Sequence, residues 1–415
     1  MLKVLWQRNF ALFWSAGLVS TLGDVVLFIA LPFGIYVKTG STAATGTLFI
    51  VESLPRVLLG AFAGVFADRW DRQRTLVTAN LLRALLLLPL LLTQTSSTVW
   101  LVYPIAFSVQ VVGQFFAPAA GALLPSLIAE CDRPAANAWF GLCSSFTLLA
   151  GPSLGGFLLG VAGWWSIILT DSCSFVLSAV LIGCISSQAA PPAAETARHP
   201  RLTSPEPSGW RYWVAGLRTV GRTPMLLALF AVSGLGTLAG GCFTVLMVPY
   251  VHDLLHGRAQ LLGWLASAQG GGSIVGGLLM LLLGTRTPPE TLLVFGSCLT
   301  GIVLLMCFNS TALPIVVALW LVAGLLLTLT GIAEQTLLQR ATANSIRGRV
   351  LGTLGTTNAL AGLIGMSIAS AAGSHYGTLP VLDMVAGLSL LTGTLGIWVI
   401  RLAPSTGAGT RHTRA

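Results

Sequence analysis

The chain has 415 residues, of which 54% are hydrophobic and 8% are charged, and its mean hydropathy is +0.84. Soluble domains contain about 45–50% apolar and about 25% charged residues, so this composition excludes an ordinary soluble fold. The net charge of +9 does not require a nucleic-acid partner, because basic loops beside anionic lipid headgroups account for it. The chain is therefore predicted to be an integral membrane protein whose main partner is the lipid bilayer.

Apolar stretches long enough to cross a bilayer recur along the whole chain. Hydrocarbon cannot hydrogen-bond to the backbone, and the stretches do not alternate as barrel strands do, so they are predicted to be helices. The predicted spans are 10–37, 44–67, 75–94, 99–127, 135–161, 164–187, 225–251, 260–284, 290–308, 313–339, 349–375 and 379–402. The predicted fold is all-α, with twelve transmembrane helices in two six-helix bundles.

The first span is expected to remain in the mature protein. Residues 1–8 are mildly basic, and the apolar stretch after them continues to Tyr36 without a convincing cleavage motif. This stretch is too long for the core of a signal peptide.

A polar segment divides the spans into two groups of six. Its sequence AAPPAAETARHPRLTSPEPSGW is rich in proline, alanine and charge, which favours a flexible connector. Its last part spaces Trp210, Trp213, Leu217 and Val220 as on one helix face, which predicts an amphipathic helix on the membrane surface. The predicted units are an N-terminal bundle over 1–187, a cytoplasmic linker over 188–224, a C-terminal bundle over 225–403 and a basic cytoplasmic tail over 404–415.

The distribution of lysine and arginine predicts the orientation. With both termini in the cytoplasm, only Lys38 and Arg258 face outside, whereas Arg56 and Arg83 lie within spans and the remaining cations lie inside. This is the asymmetry that the positive-inside rule describes. The expected location is the cytoplasmic membrane, crossed many times.

Enzyme and pump signatures are absent from the sequence. The two lysines, Lys3 and Lys38, lie in no GxxxxGK[ST] loop, and no GxSxG elbow or HExxH helix occurs. The seven cysteines and five histidines lack metal-site spacing. We therefore expect no catalytic residues, no cofactor and no metal, and we interpret the chain as a secondary transporter rather than an enzyme.

One charged loop resembles a known family. GVFADRWDRQR, over Gly64–Arg74, resembles the loop signature of the major facilitator superfamily, and it lies between the second and third spans as that family requires. Further similarity lies in RNFALFWSAGLVSTLGDVVLFIALP, GPSLGGFLL and LLQRATANSIRGRVLG, which are similar to the exporter branch containing enterobactin and macrolide efflux proteins. The resemblance covers nearly the whole chain and implies a monomeric transporter that acts on a small-molecule substrate and on protons.

The resemblance implies a gating role for this loop. The residues concerned are Gly64, Asp68, Arg69, Asp71, Arg72 and Arg74. In the family, the residue matching Asp68 contacts the start of the eleventh helix, which here is near 347–352. The alternative is that these charges only set the topology. The family often has glycine where this chain has Asp71, so the turn must accommodate a side chain.

The fifth span carries a segment that resembles the family's exporter motif. Gly151, Pro152, Gly155 and Gly156 remove a helix hydrogen bond and side-chain bulk, which favours bending and close packing beside the cavity. The alternative is an ordinary interface of small residues between membrane helices. Thr147 replaces the upstream glycine of the family pattern.

Ionisable residues inside spans are the candidates for coupling or substrate binding, because each costs about 2.5–3.5 kcal/mol at a helix centre. They are Asp24, Glu52, Arg56, Arg83, Asp171 and Glu334. Glu52 and Arg56 are spaced to pair within one helix, so a structural ion pair and a substrate contact both fit. Asp24 fits a coupling or cation-recognition site, or a carboxylate paired to Arg56 or Arg83.

The other two acidic residues lie nearer to the span ends. Asp171 follows two interfacial tryptophans, and we expect it to hydrogen-bond between helices. Glu334, close to Gln335 and Gln339, is expected to mark the cytoplasmic end of its helix.

The resemblance leads to an expectation of proton-coupled efflux of an amphiphilic small molecule of the drug, macrolide or siderophore type. Many proton-coupled members have an arginine in the fourth helix, whereas this chain offers only Gln110 and Gln114 there. An uncoupled uniporter or lipid flippase is the first alternative, and a sensor or scaffold without transport is the second. The sequence does not choose the substrate.

Overall fold

The computed structural model describes residues 2–67, 70–93, 95–186, 209–283, 287–343 and 346–402. Twelve helices within these ranges are long and apolar enough to cross a membrane. The predicted all-α fold is confirmed, and the predicted span boundaries differ from the observed ones by at most about four residues. The predicted tail over 404–415 and most of the flexible linker lie outside the described residues.

The α-helices are α1 (Leu2–Leu5), α2 (Arg8–Thr39), α3 (Thr42–Ala67), α4 (Arg72–Leu87), α5 (Val102–Leu127), α6 (Arg133–Ala162), α7 (Trp164–Gly183), α8 (Gly209–Gly221), α9 (Pro224–Pro249), α10 (Ala259–Leu283), α11 (Pro289–Phe308), α12 (Leu313–Ala341), α13 (Arg347–Tyr376) and α14 (Thr378–Leu402). Short 3₁₀ segments cover Leu88–Leu92, Ser96–Leu101 and Glu130–Asp132, and a π-helical turn, Tyr250–Leu254, extends α9.

Local chemistry explains where these helices begin and end. Gly40 stops α2 because it adopts φ +61°, and its N–H donates to Tyr36 O over 2.7 Å. Asp71 begins α4 as an N-cap, since its Oδ1 accepts from the backbone N–H of Arg74 over 2.8 Å.

The spans form two groups that pack mainly within themselves. In the first group, α2 packs on α6 and α7, and α4 packs on α5 and α7. In the second, α9 packs on α13 and α14, and α10 and α11 pack on α12. The two groups meet chiefly where α6 lies against α10 and α3 lies against α13. Bundles of six helices joined along two helix pairs allow the halves to rock against each other.

Because the number of spans is even, α2 begins and α14 ends at the same face, which we call the chain-end face. The halves are joined near the opposite face. Tyr36 Oη donates to Asp253 Oδ2 over 2.5 Å, and Ser370 Oγ donates to Ala43 O over 3.3 Å. The opposite face is therefore closed in this structure.

The linker helix α8 packs on the second bundle. Trp213 Nε1 donates to Thr357 Oγ1 over 3.4 Å, and Val220 is buried. Gly216 lies so close to Thr353 that a Cβ would not fit. The helix exists as predicted, and its described residues Trp213 and Val220 pack on α13 and α9. Its position at the membrane surface stays a prediction.

Candidate functional site

A charged pair lies inside the first bundle. Arg83 Nη2 on α4 donates to Asp24 Oδ1 on α2 over 2.6 Å. The guanidinium carbon also lies 4.0 Å from the centre of the Phe175 ring on α7. The Arg83 side chain is 8% exposed, whereas that of Asp24 is 40% exposed and reaches a cavity. The pair and the ring contact together hold the guanidinium in one position.

The cavity beside this pair has a volume of about 270 Å³. It is lined by Asp24, Arg83, Glu52 from α3 and Gln110 from α5. Of the two partners that the sequence offered Asp24, the structure selects Arg83. Two carboxylates and one guanidinium thus share a single chamber, which is an arrangement able to hold and release a proton.

The spacing of Glu52 and Arg56 suggested an ion pair within α3. Between these two described side chains no ion pair forms, so this possibility is not realised. Glu52 faces the cavity, whereas Arg56 is exposed and is absent from the cavity lining. Spacing of four residues permits contact on a helix but does not enforce it when the two side chains have different surroundings.

Asp171 is fully buried on α7. Its Oδ1 accepts from Ser174 Oγ on the same helix over 3.3 Å, and its Oδ2 has no hydrogen-bond partner among the described residues. The expected bond to another helix is therefore not formed within the described chain. Gly23 on α2 packs directly against Asp171 and Ser174, so this carboxylate lies where two helices approach closely.

Glu334 lies on α12 and lines a cavity in the second bundle, with a volume of about 470 Å³. Ser233 from α9 and Asn358 from α13 line the same cavity, and Asn358 Nδ2 donates to Ser233 Oγ over 2.9 Å. The sequence left open whether Glu334 marks a helix end or takes part in coupling or substrate binding. Its position on a cavity wall favours the second interpretation, which stays a prediction.

A third cavity, of about 360 Å³, lies between the two bundles. Phe28 and Phe49 line it from the first bundle, and Phe243 and Trp320 line it from the second. Sequence reasoning missed these residues, because an aromatic side chain in an apolar span does not show whether it faces lipid or a cavity. Its mostly apolar wall suits an apolar or aromatic ligand.

The aromatic cavity adjoins each of the other two. Phe28 lines both the aromatic cavity and the cavity of Asp24. Gly236, Leu327 and Ser389 line both the aromatic cavity and the cavity of Glu334. The aromatic cavity therefore has one charged chamber in each bundle as its neighbour.

The predicted gating loop is described only in part, since Asp68 and Arg69 lie outside the described residues. Gly64 belongs to α3. Arg72 Nη1 donates to Ala122 O on α5 over 2.9 Å, within its own bundle. Asp71 has φ −62°, so the turn takes an ordinary side chain where the family often has glycine. The contact of Asp68 with 347–352 stays a prediction.

The glycines of the exporter-like segment seat α6 between two neighbours. Gly151 packs on Val25, and a Cβ on Gly155 would lie 2.8 Å from the Val26 carbonyl oxygen of α2. Gly156 faces the Ala259 backbone of α10, and Gly263 of α10 faces the Pro152 carbonyl. Close packing is observed at this junction between the halves, while α6 stays helical through Pro152. A role of this segment in preventing leakage stays a prediction.

A contact at the opposite face was not anticipated from the sequence. His252 Nδ1 lies 2.7 Å from Asp253 Oδ1, and its ring packs edge-on against Tyr36 at 5.5 Å between centroids. The π-helical turn after α9 presents both residues to α2. Sequence periodicity gives no warning of a π-turn, so this closure is visible only in three dimensions.

Paired bundles, cavities between them and charged groups on cavity walls define a membrane transporter, not an enzyme. The family model of the Major Facilitator Superfamily matches residues 13–257 and 229–415. The chain belongs to the major facilitator superfamily.

Its relatives include efflux proteins. Macrolide efflux protein A of Streptococcus pyogenes is 23% identical over 406 residues, which cover 96% of this chain and 96% of that protein. The multidrug efflux pump Tap of Mycobacterium tuberculosis is 24% identical over 374 residues, covering 87% of each. The fold is similar to that of a bacterial homologue of the iron transporter ferroportin in an inward-facing state, with a TM-score of 0.76, 18% identity and coverage of 94% of this chain and 98% of that chain.

Proposed function

We propose that the protein exports an amphiphilic small molecule across the cytoplasmic membrane in exchange for protons. The observation that carries this proposal is the pairing of two adjoining cavities. One is apolar and aromatic and lies between the bundles, and the other holds Asp24, Glu52 and Arg83 in the first bundle. Substrate and proton would occupy separate chambers that meet at Phe28.

Exchange of substrate for protons would follow from the protonation state of Asp24. While Asp24 is ionised, its ion pair holds α2 to α4 through Arg83. A proton on Asp24 removes the charge that holds the guanidinium, so the pair weakens and the two helices lose that constraint. A proton entering from one side would thus favour a rearrangement that substrate entering from the other side reverses.

Closure at the opposite face gives the starting state of this cycle. With the chain-end face in the cytoplasm, as the positive-inside rule favours, the closed contact between Tyr36 and Asp253 faces outward. The cavity of Glu334 is lined by the chain-end parts of α9, α11, α12 and α13, and it adjoins the aromatic cavity. This geometry fits loading from the cytoplasm.

The test uses inside-out vesicles with an acidified lumen and a panel of dyes, macrolides and siderophores. Addition of an exported compound should drive proton release from the lumen, and Asp24→Asn should abolish that release. Glu130→Gln is the matched control, because Glu130 is an exposed loop carboxylate paired with Arg133.

Two results would contradict the proposal. Substrate movement that ignores the pH gradient would indicate a uniporter or a lipid flippase. Absence of movement for every compound, with Asp24→Asn indistinguishable from the unmodified protein, would indicate a sensor or scaffold.

A further inference from the structure

The cavity of Glu334 has a chemistry of its own. Among the described residues that line it, Glu334 is the single carboxylate, and no lysine, arginine or histidine is present. It differs in this respect from the chamber of the first bundle, where Arg83 balances Asp24. The lining therefore offers one carboxyl group without a compensating cation.

Four hydroxyl groups of this cavity, all from threonines, offer acceptors only. Four threonines on its wall each donate their proton to a carbonyl one turn earlier in the same helix. These bonds run from Thr237 to Ser233 (2.8 Å), from Thr300 to Gly296 (2.7 Å), from Thr330 to Leu326 (3.0 Å) and from Thr392 to Ser389 (2.6 Å). A hydroxyl has one proton, so an oxygen that donates to its own helix has only lone pairs left for a ligand.

A wall with one carboxyl group and four threonine acceptors favours ligands that carry donors and positive charge. A protonated amine meets both requirements, because its N–H groups form charge-assisted hydrogen bonds with carboxylate and hydroxyl oxygens. A group without donors would leave these acceptors without partners, and an anion would be repelled by an ionised Glu334. An organic cation is favoured because this cavity adjoins the aromatic one, with which it shares the lining residues Gly236, Leu327 and Ser389.

We infer that the cavity of Glu334 is a recognition subsite for the protonated amine of a substrate whose apolar body fills the cavity of Phe28, Phe49, Phe243 and Trp320. This inference rests on the proposed function, since it names the class of substrate: an amphiphile with a basic amine. It also gives the two bundles different roles. In the first bundle Asp24 binds and releases the proton while Arg83 serves as its ion-pair partner, and in the second bundle Glu334 binds the charged group of the substrate.

Binding to the purified full chain in lipid nanodiscs tests the inference without requiring transport. The probes are two acridine dyes of equal size, one ending in a dimethylammonium group and the other in a neutral isopropyl group, and their binding is followed by fluorescence anisotropy. The unmodified protein should bind the ammonium dye about ten-fold or more tightly than the neutral dye. Glu334→Gln should remove this preference and leave the affinity for the neutral dye unchanged.

Two further variants serve as controls. Glu290→Gln should keep the preference, because Glu290 lies in the first turn of α11 and does not line the cavity. Glu334→Asp keeps the charge and should retain part of the preference. If Glu334→Gln fails to fold, Thr330→Val gives the same test by removing one acceptor, and it should weaken binding of the ammonium dye alone.

Three results would overturn the inference: equal affinity of the unmodified protein for both dyes, a preference that survives Glu334→Gln, or calorimetric binding of Na⁺ or Mn²⁺ at Glu334 without dye. The proposed function fails separately. Dye movement indifferent to pH would refute proton exchange while leaving the binding preference in place, and pH-driven export without any preference would refute only the role of Glu334.

Discussion

The guanidinium of Arg83 and the carboxylate of Asp24 meet over 2.6 Å although 59 positions separate them in the chain. Their contact joins the third span to the first beside a cavity that also contains Glu52. A charged pair costs desolvation energy wherever it is buried, so its presence here is weak evidence for stability. Its place on a cavity wall makes it a candidate for chemistry instead.

Replacement of this guanidinium should separate proton coupling from substrate binding. Arg83→Gln removes the partner of Asp24 and the contact with Phe175. We expect substrate-driven proton release to fall at least about ten-fold, since the loss of a charged hydrogen bond corresponds to about 1.5–3 kcal/mol. Dye binding by the purified protein should change less than two-fold, roughly the error of such a measurement.

The measurement is proton release from acidified vesicles, compared with anisotropy on the same preparation. Arg56→Gln is the control, because Arg56 is exposed on α3 and lies outside the cavity lining. Equal losses in both variants would rule out a specific role for Arg83.

Loss of the Tyr36 hydroxyl should loosen the closed opposite face. Tyr36→Phe removes the 2.5 Å hydrogen bond to Asp253 but keeps the ring against His252. Because Asp253 is half-exposed, the bond contributes modestly. The ratio of outward-open to closed molecules should therefore rise several-fold, up to about ten-fold. Double electron–electron resonance measures this change as the distance between spin labels on Val37 and Ser374, in a variant without native cysteines.

Tyr376→Phe provides the comparison for this experiment, since Tyr376 is a strongly exposed tyrosine at the same face. An unchanged distance distribution in Tyr36→Phe would show that this bond does not hold the face closed.

Added bulk at Gly156 should destabilise the junction of the two halves. A side chain there meets the backbone of Ala259 on α10, which cannot move aside as a flexible side chain could. Gly156→Val should therefore lower the free energy of unfolding by about 1–3 kcal/mol, the usual cost of overpacking. Thermal unfolding in detergent measures the effect. At Gly141 on the same helix, an added Cβ has no atom within 4 Å, so Gly141→Val should unfold at nearly the same temperature as the unmodified protein. Similar losses of stability in both variants would point to a general effect of valine.

The gating loop should influence the rate of the transport cycle rather than the number of protons exchanged for each substrate molecule. Asp68→Asn is expected to slow the exchange cycle several-fold, because a charge-assisted contact that forms in one state only biases the equilibrium between states. The ratio of protons released to substrate moved should not change. Glu130→Gln is the matched control, since Glu130 is an exposed carboxylate outside the gating loop that pairs with Arg133. A changed ratio in Asp68→Asn would mean that the loop takes part in coupling.

Much of the architecture is already determined by the amino-acid sequence. An apolar stretch in a bilayer has to satisfy its own backbone hydrogen bonds, so length and composition suffice to locate all twelve spans. The small residues Gly155 and Gly156 likewise indicate close helix packing wherever they fall, and the structure gives them α2 and α10 as neighbours. These features depend on local chemistry and on the solvent.

The site was decided by tertiary structure. Sequence spacing shows which residues share one helix face, and it offered Glu52 and Arg56 as a pair. Helix packing instead joined Asp24 to Arg83. It also placed Glu334 on the wall of a cavity. The same holds for Phe28, which became the boundary between two chambers. A side chain on a membrane helix has lipid, protein or a cavity as its neighbour, and only the rotation of each helix against the others settles which of the three it meets.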